Sequence, residues 1–243
     1  MICLVLAAGY ATRLYPLTEN FPKPLLKIGN STILDRLVDD VASTGFADEF
    51  VVVTNHRFYN NFQNWAAEKS LKITVVDDGT ETNETRLGAV VDICYAAEKL
   101  SLDDDLLVIA GDNVLDFSLK SFIEYSKEKN APCVMRHFES ERKKLSKTGV
   151  LIVDDSDKVY RMQEKPANPG SNWCCPPFYY YPAEFIKAIS AAVESGCATD
   201  APGSLVEWFC KRTDLYAMEM SGHRYDVGDI ESYSQVCRMF DNK

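Results

Sequence analysis

Residues 2–6, Ile-Cys-Leu-Val-Leu, form an unbroken apolar run that stops abruptly at Ala7-Ala8-Gly9. Such a run reads as a strand buried on both faces, the pattern of a parallel sheet. The three small residues behind it let an anion approach the backbone closely. Arg13 follows four residues after Gly9, and Lys23 stands between Pro22 and Pro24. Backbone N–H groups, a forked guanidinium and a point-charge ammonium in one stretch describe a polyphosphate site. Two widespread phosphate loops are excluded: there is no G-x-x-x-x-G-K-[ST], and G-x-G-x-x-G fails because Ala11 stands where its second glycine would be. The competing reading is a plain strand and turn with a surface arginine. An Arg and a Lys set among prolines in one loop argue against it.

The stretch LAAGYATRLYPLT, followed by PKPLLKIGNSTILD, resembles the signature of the nucleotidyltransferases that act on sugar 1-phosphates. That pattern is roughly L-A-[AG]-G-x-[GA]-[TS]-R-L-x-P-L-T, then P-K-[PA]-[LM], and every defining position is filled. The resemblance implies nucleotide contacts at Leu6, Ala8, Gly9, Thr12, Arg13 and Asp112, and catalytic roles for Arg13, Lys23, Asp112 and Asp226. It further implies an α/β fold: a Rossmann-like, mostly parallel mixed sheet flanked by helices. The expected organisation is a single domain over 1–243, with a nucleotide-binding half at about 1–130 and an acceptor-binding half at about 131–243.

Ile33, Leu34, Leu37, Val38 and Val41 after Asn30-Ser31 give a capped amphipathic helix. Phe50–Thr54 is a second buried strand, Phe58–Lys69 a helix and Lys72–Val76 a third strand. The order β-α-β-α-β predicts a parallel sheet, with ligands beyond the carboxyl ends of its strands. A helix with the stripe Leu87, Val90, Val91, Cys94 and Ala97 follows. In the family a loop here reads the base, and Asn83 and Gly88 occupy the comparable places, although Asn83-Glu84-Thr85-Arg86-Leu87-Gly88 departs from the usual Gln-x-x-x-x-Gly-Leu. Asn83 as a helix cap is an equal alternative.

Leu106–Ala110 is another buried strand, ending in Gly111-Asp112-Asn113. On its residues alone this tripeptide is a turn. The resemblance makes Asp112 a metal aspartate, since Mg²⁺ prefers hard oxygen ligands shared with phosphates. Gly222-His223-Arg224-Tyr225-Asp226-Val227-Gly228-Asp229 matches a second family landmark, in which Asp226 is the other metal aspartate; the plainer alternative is a Tyr-Asp turn before the helix Ile230–Phe240, with Asp229 as its cap. Strands at Ala131–Phe138, Gly149–Val153 and Lys158–Gln163 lead into Glu164-Lys165-Pro166, where the family binds its second substrate through Gly149, Glu164 and Lys165. A hairpin with a solvated Glu-Lys end is the plainer alternative. Trp173 and Phe178 flank Cys174-Cys175-Pro176-Pro177, replacing the small pair usual in sugar-specific relatives, and are read as aromatic lining of the acceptor pocket before the strand-like Tyr179–Tyr181. Helices are expected from Pro182 to Val193 and around Leu205, Val206, Trp208 and Phe209.

Composition bounds the partners. The formal net charge of −10 argues against nucleic acid or an anionic membrane, though a local basic cluster still accommodates a nucleotide. No apolar run approaches the ~20 residues of a membrane span, and the N-terminus has no signal-peptide pattern. Eight cysteines without C-x-x-C spacing read as reduced thiols in the cytoplasm. The histidines His56, His137 and His223 have no metal spacing.

The expected activity is therefore that of a transferase of the EC 2.7.7 type in nucleotide-sugar biosynthesis. It joins an NTP and a sugar 1-phosphate, using Mg²⁺ (with Mn²⁺ as a substitute) on Asp112 and Asp226, to give an NDP-sugar and pyrophosphate. The alternative is a CTP-dependent cytidylyltransferase for phosphocholine or another small phospho-alcohol or phosphonate. A non-catalytic nucleotide-sensing subunit is disfavoured because Lys23 and both aspartates are present, and a nicotinamide-dependent dehydrogenase by the failed glycine pattern. The base, the acceptor and a homo-oligomeric state stay open at this point.

Overall fold

The computed structural model describes residues 1–240. Its first strands are β1 (Ile2–Leu6), β2 (Lys27–Ile28), β3 (Ser31–Thr32), β4 (Glu49–Thr54), β5 (Ile73–Asp77), β6 (Leu106–Ala110) and β7 (Asn113–Leu115). Then come β8 (Cys133–Phe138), β9 (Gly149–Val153), β10 (Val159–Glu164), β11 (Trp173–Cys175), β12 (Phe178–Tyr181), β13 (Tyr216–Glu219) and β14 (Arg224–Asp226). The helices are α1 (Ile33–Ser43), α2 (Tyr59–Ala67), α3 (Ala89–Lys99), α4 (Lys120–Lys129), α5 (Arg142–Leu145), α6 (Ile186–Glu194), α7 (Gly203–Phe209) and α8 (Ile230–Phe240). The chain divides into two compact units. One comprises Met1–Arg86, Ala110–Leu119 and the residues from Gly222 onward; the other comprises Leu87–Ile109 and Lys120–Ser221. The first unit thus draws on both of the halves expected from sequence.

In the first unit β1, β4 and β5 pair in parallel, with Leu4 opposite Val51 and Val52 opposite Val75. Cys3, Leu4, Val5, Val51, Val52 and Val53 have no exposed surface, as the apolar runs require. The crossover α1 buries Ile33, Leu34, Leu37, Val38 and Val41, the stripe read from sequence. Its cap is Thr32 rather than Asn30 or Ser31. Gly29, at φ +63°, turns the chain so that β2 and β3 form a hairpin that draws Ser31 into a strand. Thr32 Oγ1 then accepts from Asp35 N at 3.0 Å while Asp35 Oδ2 accepts from Thr32 N at 2.9 Å. Such a reciprocal cap contributes roughly 1 kcal/mol.

A second core of this unit determines where the site lies. Leu14, Leu26, Ile28, Ile33, Val114, Val227, Val236 and Phe240 form one buried cluster. It gathers the loop after β1, the β2–β3 hairpin, β7, the turn after β14 and α8. At about 1.5–3 kcal/mol for each large apolar side chain fully buried, this cluster holds together segments more than a hundred residues apart. β7 and β14 pair antiparallel within it, Asn113 opposite Asp226. Asp229 accepts from Ser232 N at 2.8 Å and so caps α8, the feature that the plainer alternative for this turn predicts.

The second unit is built on a mixed set of strands in the order β10-β9-β11-β8-β12-β6. Its pairs are antiparallel except that β13 runs parallel to β8. Phe178, Tyr179, Tyr180 and Tyr181 of β12 are all buried between β6 and β8. The helix expected from Pro182 starts instead as one 3₁₀ turn, Ala183–Phe185, before α6. No helix among the described residues is long and apolar enough to cross a membrane, and all eight cysteines are free thiols.

Candidate active site

Beyond β1 the backbone continues to Ala7, whose N–H donates to Val53 O at 2.8 Å. Asn55 Nδ2 then holds the Ala8 carbonyl at 3.0 Å. Gly9 is exposed, and the position of a Cβ there would have nothing within 4 Å, so the backbone is open to a ligand. Ala11 sits at φ +46° and caps a 3₁₀ turn, Thr12–Leu14, which leaves Arg13 exposed while Leu14 is buried. The loop expected to hold phosphate is therefore anchored by buried residues on either side of exposed small and basic ones.

Lys23 lies in a second 3₁₀ turn, Lys23–Leu25. Its side chain is only 8% exposed, and Nζ is 2.8 Å from Asp112 Oδ2 and 4.0 Å from Asp226 Oδ1. Gly111 explains how Asp112 reaches it. A Cβ on Gly111 would come within 2.9 Å of Val5 Cγ1 and 3.3 Å of Leu6 O. Only glycine lets this turn lie against the end of β1. Arg13 also comes near Asp226: a Cβ on Gly228 would lie 3.9 Å from both Arg13 Nη1 and Asp226 Oδ2. Arg13, Lys23, Asp112 and Asp226, the four residues singled out as catalytic, are thus brought together inside the first unit.

Asn113 was not singled out from sequence, yet it organises this cluster. It is wholly buried. Its Nδ2 donates to Ala110 O at 3.0 Å and to Asp112 Oδ1 at 2.9 Å, and its Oδ1 accepts from Arg224 Nη1 at 2.6 Å. The signal available in the sequence was the tripeptide Gly-Asp-Asn, which does not reveal which side chain points inward. Asn83 does not cap α3, whose N-cap is Gly88; it lies in a turn and accepts on its carbonyl from Arg86 Nη1 at 3.0 Å.

In the second unit Gly88, at φ +93°, is pressed against the 199–200 backbone. A Cβ would meet Thr199 O at 2.6 Å and Thr199 C at 2.9 Å. Ala89 N and Val90 N donate to Asp200 O and Thr199 O at 3.2 and 3.0 Å, which satisfies the open end of α3. Gly88→Ala adds both left-handed strain and a clash with backbone that cannot rotate away. It is expected to cost about 2 kcal/mol or more, a Tm drop of roughly 4–8 °C in a chain of this size. An unchanged Tm on thermal unfolding would contradict this packing.

Glu164, Gly149 and Cys175 stand in one row across β10, β9 and β11. Cβ atoms on Gly149 and Gly203 would lie 3.4 and 2.9 Å from Glu164 Oε2, so two glycines flank the carboxylate. Lys165 Nζ is 3.8 Å from Glu164 Oε1 and its stem is largely exposed. Burial pushes the Glu164 carboxyl above its ordinary range; Lys165 opposes this, and Asp200 and Glu207 add to it. A carboxyl whose folded pKa exceeds its unfolded one binds its proton more tightly when folded. Stability is therefore lost as pH rises from the unfolded value through the folded one. Glu164→Gln is expected to match the native Tm near pH 4 and exceed it at pH 7. A Tm difference that does not change with pH would contradict the assignment.

The aromatic lining differs from expectation. Phe178 is wholly buried in β12, paired opposite Ile109, and offers no surface to an acceptor. Trp173 is half-buried two residues along β11 from the row of Glu164, with the Arg136 guanidinium 4.5 Å over its ring and Phe138 edge-on at 5.6 Å. Period-two alternation alone does not reveal which aromatic of a strand with both faces covered is exposed. Among the described residues no group of three or more His, Cys, Asp or Glu gathers as a ready-made metal site.

Comparison with known proteins adds to this geometry. A family model described as "Nucleotidyl transferase" matches residues 2–242. The bifunctional protein GlmU of Methanocaldococcus jannaschii is 27% identical over 231 residues, covering 94% of this chain and 51% of that protein. A UTP–glucose-1-phosphate uridylyltransferase of Synechocystis sp. is 25% identical, covering 98% of this chain and 63% of that protein. The chain thus spans roughly half to two thirds of the length of these relatives. It covers 95% of the uridylyltransferase AglF of Haloferax volcanii, at 25% identity. A crystal structure of apo UDP-glucose pyrophosphorylase superposes with a TM-score of 0.85 at 20% identity, covering 99% of this chain and 98% of that one. That likeness establishes a shared fold.

Proposed function

The chain belongs to the nucleotidyl transferase family, and from that premise we propose that it transfers a nucleotidyl group from an NTP to a sugar 1-phosphate, releasing pyrophosphate. The observation that carries this reading is the convergence of Arg13, Lys23, Asp112 and Asp226 beside the open loop after β1. In the proposed reaction an acceptor phosphate oxygen attacks the α-phosphorus in line. The new O–P bond forms as the bond to the β-phosphate oxygen breaks, and pyrophosphate departs with that electron pair. No side chain needs to form a covalent bond. The residues position two anions and neutralise the charge that builds between them.

Arg13, forked and exposed, suits the β- and γ-phosphates. Lys23 suits the α-phosphate and the acceptor phosphate, where a compact ammonium meets oxygens from several directions. Leu6, Ala8, Gly9 and Thr12 contribute backbone and small side chains to the nucleotide, and Asn83 and Gly88 are assigned to the base. Gly149, Glu164, Lys165 and Trp173 are assigned to the acceptor: Lys165 for its phosphate, Glu164 as acceptor for a sugar hydroxyl. The engagement of one Trp173 face by Arg136 and the burial of Phe178 favour a sugar over a quaternary ammonium, which needs open aromatic faces.

Asp112 and Asp226 fit a divalent cation by their chemistry. Two carboxylates suit Mg²⁺ or Mn²⁺, which complete their shells with water and phosphate. When bound there, such an ion would polarise the phosphates and screen repulsion between the two substrates. The reading is tested by pyrophosphate release from UTP, dTTP, CTP, ATP and GTP, each against sugar 1-phosphates and phosphocholine. At least one sugar 1-phosphate pair is expected to exceed every phosphocholine pair in kcat/KM. Preference for phosphocholine by more than ~10²-fold, beyond what one misplaced contact explains, would overturn the sugar assignment.

A further inference from the structure

We propose that Lys23 is a resident counter-cation of the Asp112–Asp226 pair, and that it makes capture of the divalent metal conditional on the nucleotide. The inference rests on the metal reading above and concerns the order in which the site is filled. The Lys23 ammonium is 2.8 Å from Asp112 Oδ2 and 4.0 Å from Asp226 Oδ1. The second oxygen of Asp112 is held by Asn113 Nδ2 at 2.9 Å. Both oxygens of this carboxylate are therefore engaged by protein donors.

The two partners of the ion pair are unequally exposed. The Lys23 side chain is 8% exposed, whereas those of Asp112 and Asp226 are 40% and 53% exposed. Pro22 and Pro24 fix the backbone on both sides of the lysine, and Pro24 and Leu25 are buried around it. A metal ion arriving alone meets a like charge close to both of its ligands. If it displaces the ammonium, that group is left nearly buried without an anion, a costly state. A metal arriving with a triphosphate resolves both difficulties. The carboxylates pass to the metal and the ammonium passes to phosphate oxygen within reach of the same stem. Metal and nucleotide should then promote each other's binding, as any coupling between two ligands is reciprocal.

The test uses Mn²⁺ alone, read by the electron paramagnetic resonance signal of the unbound ion, with the full chain. Without nucleotide, Lys23→Gln is expected to bind Mn²⁺ at least ~10-fold more tightly than the native chain, about 1.4 kcal/mol. Lys23→Arg, which keeps the charge, should remain as weak as native. Adding Asp112→Asn to Lys23→Gln should abolish the gain. In the native chain α,β-methylene-UTP should raise Mn²⁺ affinity by ~10-fold or more above that of the nucleotide in buffer, and much less so in Lys23→Gln. Equal Mn²⁺ affinity of native and Lys23→Gln without nucleotide overturns the proposal. So does a native chain whose Mn²⁺ binding is indifferent to α,β-methylene-UTP and equally to the α,β-methylene analogues of dTTP, CTP, ATP and GTP, a result that needs no folded variant. The underlying metal reading fails separately, if Asp112→Asn leaves Mn²⁺ binding with the analogue unchanged.

Discussion

Lys23→Ala is expected to lower kcat by at least ~10²-fold, or about 2.7 kcal/mol of transition-state stabilisation, the usual scale for losing one preorganised donor at developing charge. The expectation follows from position rather than from charge alone. Many surface lysines could be removed without consequence, but the Lys23 side chain is 8% exposed and directed at two carboxylates. Its removal also affects the fold, and the two effects are separable by size. The carboxylates left behind are 40% and 53% exposed, so water solvates them and the stability cost stays well below that of an uncompensated buried charge. A folded variant with much reduced kcat is therefore predicted. Arg13→Ala is expected to lower kcat to a similar extent with little change in Tm, because its side chain is exposed. Near-native kcat in both folded variants would reduce the two cations to surface charges.

Asp112→Asn and Asp226→Asn should each reduce kcat by at least ~10²-fold at a fixed metal concentration, with partial recovery as metal is raised. Asparagine keeps the shape and one acceptor oxygen, so a hydrogen bond from Asn113 Nδ2 remains available and the turn should fold. What is lost is the charge that binds a hard cation. Asp112 should prove the more sensitive, since it is the less exposed and its orientation is held by Asn113. The native enzyme should lose activity in EDTA and regain it with Mg²⁺ or Mn²⁺. Full activity in EDTA would contradict the assignment of both aspartates.

Much of this arrangement was legible in the sequence, and the exceptions have physical causes. The run Ile2–Leu6 and the stripe of α1 were readable because burial imposes a period on the residues themselves. Arg13 and Lys23 stood out because prolines and small residues mark a constrained loop. The β7–β14 pairing was not readable: each strand has three residues, too few for a periodic signal, and the partners lie more than a hundred positions apart. Asn113 escaped for the same reason, since its role depends on Arg224 from that distant strand. Thr32 is the cap in place of Asn30 or Ser31 because the β2–β3 hairpin keeps the chain extended through Thr32, and α1 begins only at Ile33. Phe178 looked like pocket lining because aromatic character says nothing of which face is covered, and in β12 both are.

The central chemical event is the joining of an acceptor phosphate to the α-phosphorus of a nucleotide. Phosphorus-31 nuclear magnetic resonance follows that event directly when the full chain is incubated with Mg²⁺, glucose 1-phosphate and each NTP in turn. With at least one NTP the predicted result is equal growth of a pyrophosphate signal and of the paired signals of a nucleoside diphosphate sugar, both abolished by Lys23→Ala. Pyrophosphate accompanied by free nucleoside monophosphate, or paired signals that persist undiminished in the folded Lys23→Ala variant, would contradict it.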